Sequence, residues 1–499
     1  MSSGQINFRK TDIGNAERLT HRHGKDLRYV NSFCKWYIWD GRRWCEDKKD
    51  RIYQLAKDTV RAIYKEASNA DSDTRSYLAK HAIRSESRAR VEAMVSLAKS
   101  EVPLLPDDID KDIWLFNCKN GVIDLKTGKL GPHKREYMLT KLSHITYDLN
   151  AECPTWKRFL NDIFQDEKGK VKQDTIDFLQ KAVGYALTGN TREQVLFFLY
   201  GTGRNGKSTF MNVIKEILGD YGKQTNAETF TIKKSDRVNN DIAALKGARL
   251  VAATESEKGA RLAESLVKQL TGGEPVQARF LHQEFFEYIP QFKIFFTTNH
   301  KPIITGADEG IWRRIRLIPF TITIPEDKLD KELPAKLKHE MPGILRWMVE
   351  GCLKWQEEGL DVPQEVQEAT KSYKDEMDTI GSFLQECCVI HENAKTKGAD
   401  LYKTYSNWCS EEGEYELTKN KFNRKLEERG FKKKSSTGGY QYFYGIGIKD
   451  SSFNSCKGVY SGQKNNNSEI NVDTIEKADN SQLKSTLQPS KKEGVPLLI

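Results

Sequence analysis

The sequence predicts an α/β protein built around a mostly parallel, doubly wound sheet, and three observations support this fold class. Four apolar segments of strand length follow one another between residues 195 and 322. Segments with helical spacing separate them, and strands that alternate with helices favour a parallel sheet. A glycine-rich loop joins the first strand to an amphipathic helix. The strand segments read VLFFLY, ARLVAAT, FKIFFTT and IRLIPFTI.

The 499 residues exceed what one hydrophobic core usually holds, so we expect several domains. The expected order is a mainly helical accessory domain at 1–110, a hairpin and helical collar region at 111–190, the α/β core at 191–345, a helical linker at 346–380, a small module at 381–449 and a disordered tail at 450–499. The tail is rich in Ser, Asn, Lys and Glu and has few apolar residues, which is typical of disorder.

Helical and hairpin patterns precede the core. Residues 52–67 place apolar side chains three or four positions apart, which predicts a helix with one apolar stripe. The stripe consists of Ile52, Leu55, Ala56, Val60, Ile63 and Tyr64. Further along, NGVIDLKTGKL predicts a hairpin that turns at Lys126, Thr127 and Gly128. The segments CPTWKRFLNDIF and TIDFLQKAVGYAL return to helical spacing.

The loop GTGRNGKS, residues 201–208, matches the pattern G-x-x-x-x-G-K-[ST] of nucleotide-binding loops. Its glycines let backbone N–H groups surround phosphate oxygens, while Lys207 can reach the terminal phosphates and Ser208 can bind Mg²⁺. A glycine-rich loop can match by chance, but the strand before it and the helix after it favour a working site. We therefore expect ATP and Mg²⁺ as cofactors. The predicted nucleotide contacts are Gly201, Thr202, Gly203, Arg204, Asn205, Gly206, Lys207, Ser208 and Thr209.

Side chains that could complete ATP hydrolysis lie at the ends of other strands. Glu255 follows ARLVAAT and is the predicted water-activating and metal-binding carboxylate, with Glu257 as the lesser candidate; a solvated acidic turn is the alternative. Asn299, after FKIFFTT, could contact the γ-phosphate and the attacking water, or could simply form a turn. Arg313 and Arg314 could be surface charges, or could reach the ATP site of a neighbouring subunit.

Positive charge is concentrated in the predicted small module. Residues 417–449 hold nine Lys or Arg against two Glu, a net charge of +7, whereas the whole chain carries +9. The helix of this segment would present Lys419, Lys421, Arg424 and Lys425, and the hairpin after it carries Lys432, Lys433 and Lys434. Two helices followed by a hairpin are typical of a winged helix, so we expect salt-dependent DNA contact. An ordinary solvated helix face is the alternative.

Composition argues against several other classes. No segment approaches the ~18–20 apolar residues that a bilayer span needs, and the first thirty residues are polar, so we expect a cytoplasmic protein with no membrane partner. The cysteines show no C-x-x-C spacing, and His21 and His23 have no obvious third ligand, so a zinc site is not expected.

Five segments, in this order and within about 120 residues, resemble the motifs of superfamily 3 helicases. They read GTGRNGKST, LVAATESE, LVKQLTGGEPVQARF, FFTTNHKP and GIWRRIRLIPF. More specifically, they are similar to the phage and plasmid primase-associated helicases, a family that includes the poxvirus primase-helicase. YIWDGRRWCED and NGVIDLKTGKL resemble the accessory region of that family, and the resemblance covers roughly residues 20 to 449.

The resemblance implies an AAA+ type ring, normally a hexamer, with ATP sites between subunits and 3′ to 5′ movement on single-stranded DNA. Glu255 then matches the acidic end of the second motif, although Thr254 stands where an Asp is usual. Asn299 matches the polar sensor, and Arg314, with Arg313 beside it, matches the arginine motif. The segment TGGEPVQARFLHQEFF matches a hairpin that points into the ring channel. The resemblance therefore implies DNA contacts by Lys268, Arg279 and His282.

The leading hypothesis is an ATP-driven DNA helicase that replicates a phage, a plasmid or an integrated mobile element. It would act on single-stranded and forked DNA, in the bacterial cytosol or in a virus-infected cell, beside a separate primase or origin-binding protein. Primer synthesis by this chain is not expected, because the accessory region begins near residue 20 and leaves no room for a polymerase domain. The rivals are a DNA-packaging motor, an origin-binding initiator that assembles on duplex DNA without processive unwinding, and a small-molecule kinase.

Overall fold

The computed structural model describes residues 8–232, 240–254, 259–279, 284–304, 309–435 and 439–449. The predicted residues Glu255, Glu257 and His282 lie outside these ranges, as does the predicted disordered tail. The chain divides into two compact units, residues 1–378 and residues 379–499. Within the described ranges, none of the helices combines the length and the apolar character needed to cross a bilayer.

The first unit begins with a helical layer packed on a small antiparallel sheet. The elements are α1 (Asp12–His23), β1 (Leu27–Val30), β2 (Lys35–Trp39), β3 (Trp44–Glu46), α2 (Arg51–Ser68), α3 (Ser72–Ser85) and α4 (Arg88–Ala98). The helix predicted at 52–67 is confirmed as α2, and of the predicted apolar stripe Tyr64 is exposed and Leu55 is half-buried. The Tyr64 side chain is exposed and its hydroxyl donates to Glu86 at 2.9 Å, while Thr59 and Ala62 are buried.

A second antiparallel sheet and two helices lead to the core. They are β4 (Leu115–Cys118), β5 (Gly121–Asp124), β6 (Lys129–Gly131), α5 (Pro154–Ile163) and α6 (Gln173–Leu187). Strands β5 and β6 form the predicted hairpin, in which Asp124 pairs with Lys129. Gly128 has φ +70°, a left-handed conformation that favours glycine in the turn.

A five-stranded parallel sheet forms the centre of the first unit, as the sequence predicted. Its strand order is β13-β7-β12-β9-β8. The elements of this region are β7 (Leu196–Tyr200), α7 (Lys207–Leu218), β8 (Gly222–Asn226), α8 (Asn240–Ala244), β9 (Leu250–Thr254), α9 (Glu264–Thr271), β10 (Val276–Ala278), β11 (Phe286–Tyr288), β12 (Lys293–Thr298), α10 (Glu309–Trp312) and β13 (Ile315–Pro319). Helices α11 (Leu333–His339), α12 (Met341–Glu358) and α13 (Gln364–Glu376) follow.

Both faces of the parallel sheet are buried, which explains why its central strands are apolar without alternation. Phe197 stacks on Phe295 with ring centroids 4.6 Å apart, on the face covered by α6, α7 and α12. Phe198 and Phe296 pack at 5.1 Å on the opposite face, which α9 and α13 cover. Burying each such side chain contributes about 1.5–3 kcal/mol, so these pairs hold the middle strands rigidly in register.

The second unit has the order helix, strand, helix, helix, strand, strand. Its elements are α14 (Thr379–Cys387), β14 (Cys388–Lys397), α15 (Gly398–Glu412), α16 (Lys419–Glu428), β15 (Lys432–Ser435) and β16 (Gln441–Ile448). The strands form one antiparallel sheet in the order β14-β16-β15. Phe422 of α16 stacks on Tyr405 of α15 at 4.5 Å, and Phe443 of β16 is fully buried in the same core.

Candidate nucleotide-binding site

The glycine loop lies between the end of β7 and the start of α7, the position that the sequence predicted. Gly203 and Gly206 have φ +109° and +82°, a backbone conformation that side chains disfavour. At Gly201, a Cβ atom would overlap with the Asn205 side chain and with the carbonyl oxygen of Phe320. The loop therefore closes tightly, with its backbone wrapped around the N-terminal end of α7, where anions bind favourably.

Asn205 links this loop to the neighbouring strand. Its side chain is buried, and its amide Nδ2 donates to the carbonyl oxygen of Phe320 at 3.2 Å, just after β13. Its Oδ1 accepts from Lys207 Nζ at 3.0 Å, and the same Nζ donates to the carbonyl oxygen of Gly201 at 2.6 Å. Asn205 was predicted only as one contact among nine; the structure makes it a side chain that fixes both the loop and the lysine.

Lys207 is a buried cation held by neutral oxygens. The side chain is 4% exposed, and burial lowers the pKa of Lys207 to about 8. Its hydrogen-bond acceptors within the described residues are a carbonyl and an amide oxygen. A phosphate at this point would supply the missing negative charge and stabilise the protonated ammonium.

A cavity of about 270 Å³ opens beside the loop. It is lined by residues 203–209 and by Thr254, Thr297, Thr298 and Asn299. Because β7, β9 and β12 are parallel neighbours, their carboxyl ends meet at this edge of the sheet. The side chains of Asn299, Ser208 and Thr202 are exposed. Of the nine predicted nucleotide contacts, Gly201 and Thr202 do not line the cavity. Arg204 points to Glu326, with 3.3 Å between Nη1 and Oε2.

Thr297 is a residue that the sequence analysis missed. It is 8% exposed, and its hydroxyl Oγ1 has no hydrogen-bond partner among the described residues although it lies at the cavity. A buried hydroxyl without a partner is costly, and a bound polar group or water would satisfy it.

Glu255, the predicted metal-binding carboxylate, follows Thr254 directly in sequence. The part of the chain that the structure describes holds no cluster of three His, Cys, Asp or Glu side chains that could bind a metal.

Arg313 and Arg314 lie at the amino ends of the parallel strands, whereas the glycine loop lies at their carboxyl ends. The Leu196 amide at the start of β7 donates to the carbonyl oxygen of Arg314 at 2.7 Å, whereas the loop follows the end of β7. A five-residue parallel strand is roughly 15 Å long, so the arginines and the glycine loop are separated by about that length. The arginines of one copy are therefore badly placed to act on the loop of the same copy.

The two arginines have different environments. Arg314 is 7% exposed, and its guanidinium donates to Thr271 Oγ1 at 3.1 Å, to the carbonyl oxygen of Gly310 at 2.6 Å and to Gln194 Oε1 at 3.2 Å. Arg313 is exposed, and its Nη2 lies 3.5 Å from Gln194 Oε1. Both line a groove of about 560 Å³ on this edge of the sheet.

The predicted DNA contacts of the first unit fall on separate elements. Lys268 belongs to α9 and lines the arginine groove. Arg279 follows β10, which pairs with β11 as an antiparallel hairpin, and its guanidinium lies 4.5 Å from the Phe285 ring. His282 lies outside the described residues.

In the second unit, α16 presents much of the predicted basic face. Lys419, Lys421 and Arg424 are exposed, while Lys425 is half-buried. Arg424 pairs with Glu428 at 3.5 Å. In the hairpin, Lys432 and Lys434 are exposed, whereas Lys433 is half-buried and pairs with Glu427 at 3.6 Å.

Comparison with protein families gives three matches along the chain. Residues 16–165 match the family described as D5 N terminal like, and residues 375–453 match the family described as Poxvirus D5 protein-like. Two segments of this chain are thus similar to D5-like families. Between them, residues 199–314, which contain the glycine loop and the arginine pair, match a family of unknown function (DUF5906). The resemblance that the motifs predicted is confirmed at this level.

Curated relatives of this chain come from large DNA viruses. A protein named "Putative helicase" from Acanthamoeba polyphaga mimivirus is 26% identical over 327 residues, which is 60% of this chain and 33% of that protein. Another "Putative helicase", from Invertebrate iridescent virus 3, is 24% identical over 342 residues, 60% of this chain and 35% of that protein. A protein named "Putative primase" from African swine fever virus is 27% identical over 214 residues, 42% of this chain and 22% of that protein.

The chain thus spans about a third or less of the length of these relatives. A solved structure titled as the A form apo structure of the NrS-1 C terminal region matches 86% of this chain and 99% of its own, with 10% identity and a TM-score of 0.43.

Proposed function

We propose that this chain is an ATP-dependent DNA helicase that works as a ring in the replication of a virus, a phage or a related mobile element. The glycine loop, the buried Lys207 and the cavity beside them support a nucleotide site. The curated relatives named as helicases and primases of large DNA viruses support a replication role. In this proposal the parallel sheet is the core of an AAA+ type ATPase.

The observation that carries the proposal is that Lys207 and Arg313 lie at opposite ends of the parallel strands, separated by about the length of strand β7. A site that needs both groups requires the glycine loop of one copy and the Arg313 side chain of the next copy. Contacts of this head-to-tail kind close into a ring when the rotation between copies is suitable. We propose six copies, as the family resemblance implies, and single-stranded DNA in the central channel. Lys268, Arg279 and His282 are proposed to contact this strand.

Each residue of the site has a proposed role. The backbone of residues 201–206 and the Lys207 ammonium bind the phosphates, and Asn205 keeps that ammonium in place. ATP bound with Mg²⁺ would supply the reactive γ-phosphate. Ser208 and Glu255 would hold the metal ion, and Asn299 would orient the attacking water beside Glu255.

The end of the sheet that carries Arg313 and Arg314 would complete the site from the neighbouring copy. Arg313 is exposed and can reach across an interface, where it would neutralise charge that develops on the γ-phosphate. Arg314 is held inside its own copy by three hydrogen bonds, so we assign it to shaping the groove from which Arg313 extends.

The second unit is proposed to be a DNA-binding winged helix. Its order of helix, strand, helix, helix, strand, strand and its exposed lysines fit this fold, with α16 as the helix that would enter a groove. The exposed basic face of α16 also favours the second candidate function. In that alternative, the protein is an initiator that uses ATP to assemble on duplex DNA without processive unwinding.

Unwinding of forked DNA separates the two candidates. The helicase proposal predicts ATP-dependent strand separation by the wild-type protein and its loss in Lys207→Ala, with DNA binding retained. ATP-dependent assembly on duplex DNA without strand separation would favour the initiator. Equal unwinding by both proteins would exclude a motor role for this loop.

A further inference from the structure

The outer face of the sheet in the second unit carries a row of tyrosines. Side chains along a strand alternate between faces, and Phe443 and Ile446 of β16 are fully buried on the inner face. Tyr442 and Tyr444 therefore point away from the core, and Tyr440, just before β16, continues their spacing. Tyr440 and Tyr444 are 59% and 39% exposed. These three residues, Tyr440, Tyr442 and Tyr444, are called the tyrosine row.

Lysines flank the tyrosine row on both sides. The pairs in register are Lys395 and Lys432 with Tyr444, and Lys397 and Lys434 with Tyr442. Directly opposed residues of antiparallel strands share a face, so Tyr442 and Tyr444 each lie between one lysine of β14 and one of β15. The face thus repeats the order lysine, tyrosine, lysine twice.

Three of these lysines lie close to aromatic rings. Lys397 Nζ is 4.8 Å from the ring centroid of Tyr440, Lys395 Nζ is 5.7 Å from that of Tyr442, and Lys434 Nζ is 5.5 Å from that of Tyr444. Two ion pairs of this unit, Arg424 with Glu428 and Lys433 with Glu427, use other basic side chains. Lys395, Lys397 and Lys434 thus place positive charge beside the rings, where it would attract an anion.

Two exposed rings with the half-buried Tyr442 between them, flanked by lysines, suit one class of partner. Unpaired bases stack on aromatic side chains, and the phosphates on either side meet the lysines. A duplex presents base edges and phosphates to a protein but keeps its base faces stacked inside, so it could not use the rings. Successive tyrosines on one face are roughly 7 Å apart, because a strand rises about 3.4 Å per residue.

We propose that the tyrosine row and its flanking lysines bind single-stranded DNA, with bases stacked on the rings. This site is distinct from the basic face of α16, which would contact a duplex groove. The choice of DNA rests on the proposed function, whereas the preference for a single strand rests on the exposed rings and their spacing.

Binding measured without nucleotide tests the proposal in the full chain. The variant is Tyr442→Leu with Tyr444→Leu, and its matched control is Tyr442→Phe with Tyr444→Phe, which keeps both rings. Fluorescence anisotropy with a labelled oligothymidylate of about 20 nucleotides should show at least about tenfold weaker binding for the leucine variant and wild-type binding for the phenylalanine variant. The substituted side chains lie outside the core, and circular dichroism checks that both variants are folded.

Salt dependence tests the lysines. Replacing Lys432 and Lys434 by alanine should lower the slope of log affinity against log salt by about 1.4, because each phosphate contact to a single strand contributes about 0.7. The same change at Lys419 and Lys421 of α16 is the matched control and should leave this slope unchanged. Tight binding by the leucine variant, a loss that follows the α16 lysines instead, or tighter binding of RNA than of DNA through this face would overturn the proposal.

The outcome is separable from that of the proposed function. Basal ATP hydrolysis by the leucine variant should equal that of the wild type, because the glycine loop belongs to the first unit. A wild-type protein that binds single strands through the tyrosine row but never unwinds a fork would refute only the helicase. A protein that unwinds forks equally well in wild-type and leucine forms, with equal affinities, would refute only the row.

Discussion

Mixing two inactive variants tests whether one ATP site is shared between two copies. Lys207→Ala removes the buried ammonium from the loop edge of the sheet, and Arg313→Ala removes the exposed guanidinium from the other edge. Alone, each variant lacks one group at every shared site, and loss of such an arginine lowers hydrolysis about 10³-fold. In a mixture, a site is complete where an Arg313→Ala copy supplies the loop and a Lys207→Ala copy supplies the arginine.

The size of the recovery follows from the head-to-tail geometry. With equal amounts and random assembly, about a quarter of the interfaces join the two intact edges. Steady-state ATP hydrolysis, measured after subunit exchange, should therefore rise from under about 1% to about a quarter of the wild-type rate. Arg61→Ala, an exposed arginine of α2, is the control and should keep wild-type hydrolysis. A mixture that stays inactive, or an active Arg313→Ala protein on its own, would refute a shared site.

Three further results are expected. Raising the pH from 7 to 9 should weaken nucleotide binding about tenfold, because the protonated Lys207 that phosphate stabilises is lost above its pKa of about 8. Calorimetry measures the affinity at each pH, and Lys207→Arg should show no such dependence on pH. Asn205→Ala should lower the free energy of unfolding in urea by about 1–3 kcal/mol, because the carbonyl of Phe320 loses its buried donor. Arg314→Ala should cost about 2–4 kcal/mol in the same assay and Arg313→Ala less than about 0.5 kcal/mol; equal losses would contradict their different environments.

Local patterns in the sequence were enough to predict the α/β class and the position of the loop. The apolar run that became β7, the glycines after it and the helical spacing of α7 all lie within 24 residues, so one segment carries the whole signal. Strand β8 was missed because its residues Gly222–Asn226 are polar and lie at the edge of the sheet, where no apolar pattern is required. The exposure of Tyr64 could not be predicted, because helical spacing does not show where the buried part of an apolar stripe ends.

Features that depend on distant contacts could not be predicted. Asn205 bonds to Phe320, which is 115 residues away, and Arg314 bonds to Gln194, which is 120 residues away. The hydroxyl of Thr297 became a candidate only once β12 was placed beside β7. The tyrosine row depends on register as well, because the sequence shows Lys434 and Tyr442 eight positions apart and not side by side. Pairing across strands, which the folded core determines, creates these neighbours.

We propose that ATP is cleaved between copies of this chain and that this energy moves the protein along a DNA strand. The most direct measurement is the rate of ATP hydrolysis per copy as the protein concentration is raised, with and without single-stranded DNA. We predict a rate per copy that climbs steeply through the concentration at which copies assemble and that rises further with DNA. A rate per copy that is constant over this range and unchanged by DNA would contradict the account.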